Sequence, residues 1–257
     1  MYREHCKNLS EVENGIKRIE LELRKYISIN DVKNEYTFTK ILSQLIVCWS
    51  EVRILKLIYE NNAFTEAEIN SILLTNNRAN SLETKWKKAL NISICKAYNI
   101  TDIGNIQNEL SADIYYKYNE IFSSITNDFL PSIQIRNRIA HGQWKVAFTS
   151  KLQSISPDLT NKISIENIVS LQLKKKILNG LALLIHDLAV SPPTFERDFM
   201  SNYAKIKNNK NNLHKRSYIK YKNQMIAKYQ RGKIKRKELP IKLTFFEKIK
   251  FVFSKKQ

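Results

Sequence analysis

The sequence predicts an all-α fold, and two observations carry this. Apolar residues recur three and four positions apart in one segment after another, and Ser/Thr-x-x-Glu capping signals stand at the head of two of them. With 257 residues the chain can bury a full core, as one large domain or as a domain with an appendage.

The elements follow in order. Ser10-x-x-Glu13 reads as a capping box, and Val12, Ile16, Ile19, Leu23 and Tyr26 form the apolar stripe of a first amphipathic helix. From about Tyr36 to Glu60 apolar residues occur almost all round the axis, which predicts a central, buried helix. Thr65-x-x-Glu68 opens a short helix through Leu74, and Thr75-Asn76-Asn77 reads as a loop. Between Ser81 and Tyr98, Leu82, Trp86, Leu90 and Ile94 share one stripe. A long helical pattern from about Leu110 to Phe129 meets Pro131, which should kink or restart it, and Gly142 stands where the restarted helix needs a left-handed residue.

Trp144 to Thr149 alternates large apolar with smaller or polar residues, which predicts one short strand and a β-hairpin with the region near Ile163. A strongly apolar helix is expected from about Ile165 to Leu188, and after Pro192-Pro193 Thr194 caps a last helix through Phe195, Phe199 and Tyr203. Beyond Lys207 the composition shifts to Asn, Lys and Arg. The expected division is a helical domain over 1–207 and a basic, aromatic-containing, partly helical extension over 208–257.

Charge points to partners. Lys and Arg outnumber Asp and Glu by 43 to 24, a net charge of +19. From Lys205 onward there are 18 Lys and Arg and two acids, Glu238 and Glu247, so +16 of that charge lies in the last stretch. Such a localised excess attracts polyanions through release of their condensed counterions, and RNA, DNA or an anionic membrane all satisfy it. Within the extension, Lys215, Arg216, Tyr218, Lys220, Tyr221 and Lys222 interleave cations with aromatics. Lys228, Tyr229, Arg231, Lys233, Lys235, Arg236 and Lys237 continue the basic run. Cations there can meet phosphates while tyrosines stack on unpaired bases, and a solvated tail is the plainer alternative. After Pro240, Leu243, Phe246, Ile249, Val252 and Phe253 return at helical spacing. This suits a membrane-surface helix or, as we expect, docking back on the protein.

Several classes are disfavoured. Gly15, Gly104, Gly142, Gly180 and Gly232 never cluster, so neither a P-loop nor a dinucleotide fingerprint is present. Cys6, Cys48 and Cys95 are widely separated, without zinc-ligand spacing or a disulfide framework. No metal or cofactor is expected. The first residues lack the apolar run of a signal peptide and no apolar stretch suffices to span a bilayer, so a soluble, cytoplasmic protein is expected.

Chemistry concentrates in Ile135-Arg136-Asn137-Arg138-Ile139-Ala140-His141-Gly142. Asn137 and His141 are four apart and share a helix face, while Arg136 lies about 140° round the axis from His141 and can bend toward the same cleft. Arg offers a planar charged fork for phosphate, Asn neutral hydrogen bonds, and His a proton exchanged near neutrality. In a last helical turn the His is favoured in its protonated form, so phosphate binding or acid catalysis suits it as well as base catalysis. The plainer alternative is that Arg136 and His141 solvate a helix end.

The string resembles the signature of the HEPN (higher eukaryotes and prokaryotes nucleotide-binding) superfamily: Arg, often followed by Asn, and His four to six residues further on. The resemblance implies a HEPN-like helical bundle over roughly Tyr36 to Leu188, with Arg136, Asn137 and His141 as catalytic residues. It also implies a homodimer that joins two motifs in a composite active site. The implied activity is metal-independent endoribonuclease cleavage of RNA by 2′-hydroxyl attack, in a toxin, abortive-infection or antiviral-defence setting, with an antitoxin or regulatory RNA as a further partner. The alternative is a catalytically inactive HEPN-like RNA-binding or adaptor protein. HEPN sites often add a polar residue from an earlier helix. Glu51 and Arg53, charges inside the apolar Trp49 to Leu55 stretch, are candidates, Glu51 either orienting His141 or Arg136 or pairing structurally with Arg53 or another base. Trp144 is placed near the site, and Trp86 either stacks on a base or belongs to the core. His186-Asp187, His5 and His214 are expected to be structural or solvated.

Overall fold

The computed structural model describes residues 1–73, 81–150 and 152–238, apart from the side chains of 236–238. The expected loop at Thr75-Asn76-Asn77 and the apolar segment from Leu243 to Phe253 lie outside the described residues, as do the side chains of Arg236 and Lys237.

Two long antiparallel helices, α1 (Tyr2–Ser28) and α2 (Val32–Ile58), form the first layer. Asp31 caps α2 by accepting from the Asn34 backbone N–H at 3.1 Å. The first helix starts well before Ser10, because Tyr2 to Leu9 continue it and Glu4 pairs with Lys7 one turn on. Glu13 therefore does not close a capping box; it accepts from the Trp49 indole N–H at 3.0 Å and ties α1 to α2. The central position expected for α2 holds: Leu42, Ile46, Trp49, Ile54 and Leu57 are buried among α1, α7 (Leu130–Ala140) and α9 (Ile168–Val190).

Thr65 and Glu68 exchange reciprocal bonds at the head of α3 (Glu66–Leu73), and Ser81 caps α4 (Leu82–Ala97). Trp86 is fully buried on α4, edge-on to Phe129, so it is a core residue. A 3-10 turn at Ile103–Asn105 and the single turn α5 (Ile106–Glu109) lead into α6 (Ala112–Ser124). The restart expected at Pro131 is found: a new helix, α7, begins at Leu130 with Pro131 in its first turn. A π turn, Ile125–Phe129, joins α6 to α7 and takes up the ring that would otherwise meet the carbonyl of Asn127.

The expected strand and its pairing with the Ile163 region do not form. Among the described residues no strand occurs, and Phe148 makes only an isolated antiparallel bridge to Ile155. Ile163 instead lies on α8 (Pro157–Ile165), started by Pro157 and braced by a 2.7 Å Lys162–Asp158 pair. An Asn167/Ser170 capping box then opens α9.

The boundary expected near Asn208 falls inside α10 (Pro192–Lys215), which runs through it unbroken. Lys210 reaches back to Asp128 at 2.5 Å and to Ser124 Oγ at 2.8 Å, clasping the π turn. The next helix, α11 (Tyr218–Glu238), packs on α1 and α9. Gly180 on α9 allows α10 to approach closely, since a Cβ there would lie 2.6 Å from Ile206 Cγ1. Among the described residues no helix is long and apolar enough to cross a membrane.

Candidate functional site

The motif helix α7 straddles two apolar clusters. Ile133 belongs to the main core, while Ile135 and Ile139 join Ala147 and Ile163 in a small second cluster covered by Trp144 and Leu159. These buried isoleucines fix the rotation of α7. Arg136 consequently turns half-buried toward α2, and Asn137 and His141 face solvent.

On α2, Glu51 meets Arg136 with Oε2 3.5 Å from Nη2. Arg136 Nε is buried without a hydrogen-bond partner. Cys48, one turn before Glu51, lies close enough to feel both charges. Burial pushes its thiol pKa up, the Arg136 guanidinium opposes this and Glu51 adds to it. Glu51 thus lies against Arg136 and not against Arg53. Arg53, two residues on and about 200° round the helix, lies instead beside Ile54, Leu57, Trp86 and Ile185. It does not join the motif.

The end of α7 is tightly defined. Gly142 takes φ +76°, its N–H donates to the Ile139 carbonyl at 3.1 Å, and the Gln143 N–H donates to the Arg138 carbonyl at 2.9 Å. This is a Schellman closure, with Gly at the position that disfavours a Cβ. The Trp144 indole N–H also donates to Ile139 O, at 2.9 Å, and Tyr36 O–H donates to Trp144 O at 2.7 Å. Trp144 thus lies beside the motif as a brace. The buried Lys40 ammonium donates to the Ile163 carbonyl and lies 5.0 Å from the Tyr36 ring centroid, tying the end of α8 to α2.

The imidazole of His141, at the C-cap, makes no hydrogen bond to the described residues, and neither does the Asn137 amide. In one chain the motif therefore divides: the Arg136 guanidinium turns toward Glu51, while Asn137 and His141 stand exposed and unengaged. Among the described residues no three His, Cys, Asp or Glu side chains converge as metal ligands. His186 lies between Glu60 (3.2 Å) and Asp187 (3.3 Å), and His5 stacks on Tyr59, both away from α7.

The residues expected to bind RNA divide. Tyr218 donates to Glu35, and Lys222 pairs with the same carboxylate at 2.8 Å, so both anchor α11 to α2. Burial and then the Glu35 hydrogen bond drive the Tyr218 pKa upward. Tyr221 is half-buried. Lys215, Arg216, Lys220, Arg231, Lys233 and Lys235 are exposed. Sequence reasoning did not single out Cys48, although its place three residues before Glu51 on one helix face carried the signal. It also did not single out Lys17, Lys176 and Lys205, which only the packing of three helices assembles.

Comparison with protein-family models, with curated proteins and with solved structures returns no match.

Proposed function

We propose that this chain is a metal-independent endoribonuclease of HEPN type, working as a homodimer in which two α7 helices contribute to one cleft. The observation that carries this reading is the arrangement on α7: Arg136 is held by Glu51, and Asn137 and His141 are free to engage a ligand beside it. An exposed half-site of this kind suits completion by a second copy.

In the proposed reaction His141 takes the ribose 2′-hydroxyl proton. The 2′ oxygen forms a bond to the adjacent phosphorus, the bond from phosphorus to the 5′ oxygen breaks, and the leaving oxygen takes a proton from water, to which His141 returns the one it removed. The products are a 2′,3′-cyclic phosphate and a 5′-hydroxyl. Arg136 stabilises the charge gathering on the non-bridging oxygens, and Asn137 donates to the same phosphate. Exposed α11 cations recruit the strand electrostatically. A toxin, abortive-infection or antiviral role, an antitoxin or regulatory RNA partner and a cytoplasmic location rest on the motif resemblance alone.

The test is incubation of the full chain with labelled RNA in excess EDTA, beside Arg136→Ala and His141→Ala. Cleavage by wild type that leaves cyclic phosphate ends and is lost in both variants supports the reading. Equal cleavage by all three, or none by wild type, defeats it. A second reading, an inactive RNA-binding or adaptor module, is favoured by one observation: the guanidinium is already engaged by a carboxylate, as a structural arginine would be.

A further inference from the structure

A groove of about 700 Å³ lies between α1, α9 and α10, on the far side of α2 from Arg136. Trp49 contributes to its lining while Glu51 faces the motif, the two being about 200° apart on one helix. A second hollow of about 400 Å³ shares Gln172 and Lys176 with it and continues to the corner between α10 and α11. Along α9 the combined track runs from Val169 to Leu183, a rise of about 21 Å.

Among its charged lining residues, seven are Lys or Arg and two are Glu. Lys17, Lys176 and Lys205 are exposed around the first hollow, and Lys215, Arg216 and Lys220 around the second. None of the six forms an ion pair among the described residues. Of the two carboxylates at the rim, Glu20 pairs with Arg24 at 3.0 Å, while Glu13 accepts from the neutral Trp49 indole and keeps its charge. Gln172, Asn179, Asn202 and Asn209 stand between the lysines.

We propose that this groove is a binding track for single-stranded RNA, separate from the α7 motif. Spaced ammonium groups meet successive phosphates, and the intervening amides offer donors and acceptors to ribose hydroxyls and base edges. The volume is that of a small-ligand cleft and admits one strand rather than a duplex. A membrane is met by a flat or convex face that inserts apolar side chains, whereas these cations converge on a hollow. The inference does not rest on the ribonuclease reading.

The experiment measures binding of the full chain to a labelled 2′-O-methyl oligouridine of about twelve nucleotides across a salt series. This probe lacks the nucleophile for cleavage, so the readout is binding alone and is independent of the cleavage test. Lys17→Gln/Lys176→Gln/Lys205→Gln is compared with Lys7→Gln/Lys25→Gln/Lys33→Gln, which removes equal charge elsewhere. The groove variant should bind roughly tenfold more weakly, with the log–log salt slope reduced by about 2, and the control should change less than about twofold. Equal losses in the two variants, or no loss in the groove variant, overturn the proposal. So does loss of phosphatidylserine-vesicle binding in the groove variant with oligonucleotide binding retained.

Discussion

Glu51 on α2 and Arg136 on α7 meet with 3.5 Å between Oε2 and Nη2, joining the central helix to the motif helix. The side chains keep 41% and 24% of their exposure, so after solvent screening the pair contributes at most about 1 kcal/mol to folding. Its effect should fall on the orientation of the guanidinium. Glu51→Gln is expected to leave the thermal midpoint nearly unchanged while lowering RNA cleavage about ten- to hundredfold. Unchanged cleavage would remove Glu51 from the site.

Gly142 closes α7 at φ +76°, and a Cβ there would meet nothing within 4 Å. The cost of Gly142→Ala is therefore conformational, about 1 kcal/mol. Urea unfolding should register it as a lower midpoint with an unchanged slope, and Gly142→Asn should lose less, since Asn tolerates the left-handed region better.

Trp144 is a brace beside the motif. Trp144→Phe keeps the apolar cover over Ile135 and Ile139 and deletes the indole donor to Ile139 O, which retains the Gly142 N–H as a partner. The loss should stay near or below about 1 kcal/mol. Affinity for RNA should be unchanged, and a marked fall in a filter-binding assay would mean that the indole contacts the strand.

Alkali should unfold the protein early. Burial, followed by neighbouring Cys95 and Tyr115, raises the Tyr118 pKa to about 12 from its ordinary 10. Tyr98, half-buried and hydrogen-bonded to Glu196, is also raised. A phenol whose folded pKa is raised holds its proton longer in the folded chain than in the unfolded one. The stabilisation is complete below pH 10 and is lost as pH climbs through the folded value. Melting temperature should therefore fall between about pH 10 and 12, and Tyr118→Phe should make that decline shallower. An identical pH profile for the variant would contradict this.

Much of the helical framework was legible because helix formation writes itself locally. The Thr65/Glu68 box, the burial of α2 and the Gly142 closure depend on residues within a few turns of each other. The same local rules misplaced the start of α1 and proposed a strand at Trp144. A capping box inside a longer helix, and a few alternating residues, look alike whether or not a partner is present. The Ile163 segment became helix instead of strand.

The sequence by itself determined an all-helical chain with its cations crowded toward one end, and it placed Arg136, Asn137 and His141 on one helix end. Only the tertiary structure decided that Glu51 holds Arg136 while Arg53 faces elsewhere, since two residues on one helix diverge by about 200° and packing selects which neighbour each meets. It likewise decided that α10 crosses the expected boundary, with Lys210 clasping Asp128, and that Tyr218 and Lys222 are spent on Glu35. Composition counts charges, but whether a lysine is free for a phosphate depends on which carboxylate the fold brings within reach.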